Sequence, residues 1–128
     1  MTQPQRRPLV IRVAPSTIRQ KFNRCQYPKL IQQGALVLKY LRNKHLDAPH
    51  NVGEPWCTNS QVIRYSNSSG KLLVVVHQYF RPDNSIGGKG RPDPKRLWLR
   101  NRIYVADKTV SRTSRTLKKR KKKEGGSI

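Results

Sequence analysis

The chain has 128 residues, with 28 Lys and Arg against 6 Asp and Glu, for a formal charge of +22. That length suits one modest hydrophobic core, and the 34% hydrophobic content is below the roughly 45–50% usual in a globular domain. No apolar run approaches the roughly 18–20 residues that span a bilayer, and two cysteines cannot build a disulfide framework.

Residues 1–8 read as a flexible basic arm with two prolines. The stretch MTQPQRRPLVIRVAP lacks an apolar core of the length a secretory signal needs. Leu9 to Val13 form a short apolar strand that ends before Pro15. Ser16 or Thr17 is a candidate N-cap for a first helix, with Ile18 and Phe22 spaced i, i+4 on its apolar face. Arg19, Lys21 and Arg24 fall on its other faces. Tyr27–Pro28 breaks that helix, and Pro28 can open a second one. Leu30, Ile31, Ala35, Leu38 and Leu41 fit a helical stripe, which predicts a helix from about Pro28 to Asn43. Gly34 weakens this stripe, and the apolar residues from Ala35 to Leu38 also suit a strand.

Leu46 to Asn59 reads as a loop. Gln61–Tyr65 and Lys71–Phe80 flank a Ser-Asn-Ser-Ser-Gly turn and predict a hairpin. Leu72 to Val76 is apolar on both faces, which places this strand inside the sheet. Arg81 to Lys95 is a long connection rich in Gly and Pro, and Leu97–Leu99 with Ile103–Val105 predict a last hairpin. The expected fold is α+β: two N-terminal helices packed on one face of a mostly antiparallel sheet of three to five strands. Residues 9–107 form the single domain, and 108–128 a basic tail expected to be disordered without a partner.

The tail carries nine basic residues, including Lys118, Lys119, Arg120, Lys121, Lys122 and Lys123, against Glu124 alone. Most of the charge therefore sits on the body. Close like charges oppose compaction unless something neutralises them, and phosphate backbones do so with counterion release. A membrane surface fits less well, because the tail lacks the apolar face of an interfacial helix.

The segment from Ile86 to Arg96 could approach phosphate through the backbone at Gly88, with Lys89, Arg91, Lys95 and Arg96 adding charge. Its spacing is not that of a nucleotide-binding P-loop. It contains Gly-x-x-Gly, as KH domains do, but Pro82, Pro92 and Pro94 deny it the flanking helices. An ordinary connector explains it equally well. Aromatics lie among basic residues. Tyr65 beside Arg64, Tyr79 near Arg81, and Tyr104 beside Arg102 are candidates to stack unpaired bases. Phe80 and Trp98 are expected in the core.

His77 near the end of the long strand could serve as the acid or base of a ribonuclease, with Glu54 or His50 as its partner. Helices followed by a strand meander are similar in layout to small bacterial ribonuclease toxins, though no motif is shared. A hydrogen-bonded structural histidine is the plainer alternative. Cys25, His45, His50 and Cys57 lack the tight pairs of a zinc site, and Cys25 reads as a buried thiol closing the first helix. The carboxylates are scattered singly, which offers nothing to two-metal phosphoryl chemistry. No metal or cofactor is expected.

These residues point to a cytoplasmic nucleic-acid-binding protein, RNA ahead of DNA because no helix-turn-helix or basic-zipper pattern is present. It would be a ribonucleoprotein component, and protein partners in a larger complex are a further expectation. The alternatives are a small metal-independent ribonuclease using His77, or a phage or mobile-element accessory protein that contacts DNA backbone.

Overall fold

The structure is a computed structural model and describes residues 7–88 and 90–110. The chain order is β1 (Leu9–Val13), α1 (Pro15–Arg24), α2 (Tyr27–Gln32), β2 (Val37–His45), a 3-10 turn at Pro49–Val52, β3 (Asn59–Ser66), β4 (Leu72–Phe80), β5 (Asp93–Leu99) and β6 (Arg102–Ala106). The strands form one six-stranded sheet in the order β1-β6-β5-β4-β3-β2. Four pairings are antiparallel, and β1 joins β6 in parallel.

This corrects the expected fold. The sheet is larger than three to five strands and mixed, and only α1 exceeds two turns. The long second helix does not form. Gly34 takes φ +69°, a conformation that costs little only without a Cβ. The Gly34 N–H then donates to the Ile31 carbonyl at 3.0 Å, and the Ala35 N–H to the Leu30 carbonyl at 2.9 Å. That is a Schellman stop. Beyond it, Val37 to His45 pairs with β3, and Leu41 bulges between Tyr40 and Arg42. The bulge lets Leu38 and Leu41 mimic a helical spacing on what is a strand.

α1 starts one residue earlier than Ser16, with Pro15 inside its first turn and Ala14 as N-cap, without a side-chain cap. Cys25 closes it and is half-buried, its Sγ–H donating to the Phe22 carbonyl at 3.1 Å. Burial raises the thiol pKa.

Ile18 and Phe22 of α1 pack on Ile63, Val74, Val76, Leu97 and Tyr104, all on one face of the sheet. Ile18, Ile63, Val74, Val76 and Leu97 are fully buried, and each contributes about 1.5–3 kcal/mol by leaving water. Alternation sends most of their strand neighbours to the opposite face, whereas Leu73, at the register shift between β3 and β4, stays in the cluster. None of Val62, Val75, Trp98, Ile103 or Val105 belongs to the core cluster. α1 contacts β5, β6 and α2, and no described helix covers the second face. Trp98, expected in the core, lies on that second face paired with Ile103. Phe80 is also half-buried and outside the cluster. Among the described residues, no helix is long and apolar enough to cross a membrane.

Candidate nucleic-acid interface

The second face carries a cross-strand row. Lys39 pairs with Arg64, Arg64 with Val75, Val75 with Arg96, Arg96 with Val105, and Val105 with Arg12. Six strands at about 4.8 Å spacing make this row roughly 24 Å long. Four of its six members are cations, and Lys39, Arg96 and Arg12 are exposed. Like charges directly opposite one another destabilise a sheet, as Lys39 and Arg64 are here. The Arg64 Nε is buried and finds no partner among the described residues. An apolar row, Trp98–Ile103–Val10, runs alongside. Of the row's cations, Arg12 alone takes part in an ion pair among the described residues, a 3.4 Å contact to Asp107.

The end of the sheet holds a cleft of about 1300 Å³. It exists because β4 outruns β5. His77 pairs with Asp93, the first residue of β5, and Phe80 bridges back to Ile86. α1 supplies Arg19, Gln20 and Asn23 to one side, β4 supplies His77 and Tyr79, and the glycine segment supplies Gly88 and Arg91. Lys95 also lines it. Asp93 Oδ2 accepts from the Lys95 Nζ at 2.9 Å, while Oδ1 has Arg19 at 3.5 Å and no hydrogen-bond partner among the described residues.

His77 Nε2 lies 2.8 Å from Ser60 Oγ, and its ring meets Tyr79 edge-to-face at 4.8 Å. Burial lowers its pKa, reinforced by the nearby Lys95 cation and opposed by Asp93. The shift favours the neutral ring. Neither Glu54 nor His50 is its partner, which corrects that expectation.

Glu54 instead governs the glycine segment. Its buried carboxylate accepts from Arg81 Nε at 2.7 Å and Nη2 at 3.3 Å, and from the Gly88 N–H at 3.0 Å. The Gly88 amide proposed for phosphate is already committed to a carboxylate. Arg81 is likewise committed. A Cβ on Gly87 would collide with the same carboxylate, which explains the glycine at that position. The hydrogen bonds from Arg81 hold the Glu54 pKa down. The remaining candidates separate: Arg91 and Lys95 line the cleft, whereas Arg96 belongs to the second face. Lys89 and Lys118 to Lys123 lie outside the described residues.

At the other end of the sheet, a hollow of about 480 Å³ gathers Lys21, Arg24, Arg100 and Arg102 around Tyr104. The Lys21 Nζ sits 4.6 Å from the Tyr104 ring centre. Arg102, then Lys21, pull the Tyr104 hydroxyl pKa down against the effect of burial. Arg100, in the two-residue turn, and Arg102, the first residue of β6, were not among the sequence candidates. Tyr104 and Tyr65 are each 7% exposed. They belong to the core and offer no face to a base. Tyr79 is half-buried and keeps its place in the cleft.

Trp56, 66% exposed in the loop before β3, was also missed. Its position directly after Pro55, outside every apolar run, was the available signal. No three His, Cys, Asp or Glu side chains gather as a metal site among the described residues. No protein family, curated protein or solved structure matches the chain.

Proposed function

We propose that this protein binds nucleic acid, RNA ahead of DNA, through the phosphate backbone, as a cytoplasmic ribonucleoprotein component. The observation that carries this reading is the cationic row on the uncovered sheet face. Cations aligned at strand spacing are unfavourable alone and favourable against a polyanion. Weak duplex readout supports RNA: α1 spends its apolar face on the sheet and α2 has six residues, which leaves no free recognition helix among the described residues. The ratio of absorbance at 260 and 280 nm of the purified chain tests this, followed by RNase or DNase digestion of what co-purifies. RNase-sensitive material is expected. A nucleic-acid-free sample that also fails to bind added RNA contradicts the proposal.

One observation favours a second reading, a metal-independent ribonuclease. His77 is hydrogen-bonded, has its pKa held down by burial, and lines a cleft with Arg19, Arg91 and Lys95. Such a group can accept a 2′-hydroxyl proton while cations hold the phosphate. Cleavage of labelled RNA without magnesium, abolished in His77→Ala, would support it. RNA left intact over hours rejects it.

A further inference from the structure

Resting on the nucleic-acid reading above, we infer that the sheet-end cleft seats an unpaired stretch of the bound strand and reads its bases. The cleft continues the second face at the end of the sheet, since alternation puts His77 and Tyr79 on the face of Val75, and α1 adds side chains to it. The rest of the face offers cations beside the row of Trp98, Ile103 and Val10; cations suit a backbone and carry no base information. The cleft adds carboxamides. Gln20 and Asn23 are both exposed, lie three residues apart on α1, and point to the same hollow as Arg19. Neither contributes to the core cluster or to a hydrogen bond among the described residues. Carboxamides present a donor and an acceptor together, the pattern that pairs with a base edge.

Across the cleft, Tyr79 supplies an aromatic ring whose orientation is set by its edge-to-face contact with His77. Aromatic rings hold unstacked bases, and sequence-selective RNA recognition targets bases free of pairing. Arg91 and Lys95 complete the site with charge for the flanking phosphates. The volume, about 1300 Å³, exceeds the roughly 300–1000 Å³ of small-molecule pockets, so it suits more than one nucleotide. Walls on two sides admit a splayed strand more readily than a paired one.

The test uses the full chain and fluorescence anisotropy at one fixed salt concentration. The probes are a labelled unstructured single-stranded RNA and a fully paired RNA hairpin with the same number of phosphates. The Gln20→Ala/Asn23→Ala double variant changes only exposed side chains, and Tyr79→Phe and Tyr79→Ala vary the ring. The double variant and Tyr79→Ala are expected to weaken single-strand binding at least tenfold while hairpin binding stays within twofold. Tyr79→Phe should retain binding, and ultraviolet cross-linking should place the adduct on the peptide containing Tyr79. Equal losses on both probes, or none, overturn the inference while the backbone reading stands. Failure of the wild-type chain to bind either probe overturns both.

Discussion

Glu54 and Arg81 form a two-point ion pair, 2.7 and 3.3 Å long, whose acid is 6% exposed. The same carboxylate takes the Gly88 N–H. A loop that carries most of the glycines of the β4–β5 connection is thus held by one residue from a different loop, 27 positions earlier than Arg81.

Replacing Glu54 with alanine leaves the guanidinium and the Gly88 amide without their acceptor. The expected loss is about 1–3 kcal/mol, read as a lower melting temperature. The pH dependence has a definite sign. A carboxyl whose pKa is lower in the folded chain adds stability above its unfolded value, about 4.3. That stability disappears as pH falls through the folded value. The wild type should lose melting temperature below about pH 4.3, and Glu54→Gln should lose less over the same range.

His77 titrates in the opposite sense of charge but also loses stability toward acid. Its folded pKa is depressed by burial, then by Lys95. The unfolded chain takes up the proton first, near pH 6.5. Stability is complete above that value and falls between it and the lower folded pKa. Imidazole NMR resonances should give a midpoint below 6.5. Lys95→Ala should raise that midpoint. A midpoint above 6.5 in the wild type would show that Asp93 outweighs burial.

Two glycines separate backbone strain from collision. Gly34 has φ +69° and open space where a Cβ would sit. Gly34→Ala should therefore cost about 1–2 kcal/mol from the backbone alone. Gly87 lies against the Glu54 carboxylate, so the cost of Gly87→Ala should shrink in a Glu54→Ala background. Additive costs in that double-mutant cycle would place the strain elsewhere.

Much of the sheet was legible. The turn residues Ser66 to Gly70 and Arg100–Asn101, with apolar runs on either side, announce the β3–β4 and β5–β6 hairpins observed. Gly34 is legible as a helix stop, but the spacing of Leu38 and Leu41 continues the helical stripe past it and masks β2, whose bulge falls at Leu41. The parallel pairing of β1 with β6 brings together residues about 93 positions apart, such as Leu9 and Arg102. No local pattern encodes it. The site was legible by residue type and illegible by grouping. Arg64 and Arg96 were named as candidates, but the row with Lys39 and Arg12 depends on register across the whole sheet. Tyr65 and Tyr104 looked like wet-edge tyrosines because basic neighbours flank them in sequence. Alternation turns Arg64 away from Tyr65; Arg102, two residues from Tyr104, shares its face, yet both rings pack inward.

The central claim is that the row on the uncovered face neutralises phosphates. The most direct measurement is the salt dependence of RNA affinity for the wild type and for Lys39→Ala/Arg64→Ala/Arg96→Ala. Log affinity should fall by roughly 0.7–0.9 per log unit of salt for each phosphate neutralised, so the triple variant should lose roughly 2–3 from the wild-type slope. Its fold should be retained, because these side chains lie outside the core cluster. A wild-type affinity independent of salt, or an unchanged slope in a folded triple variant, would contradict the claim.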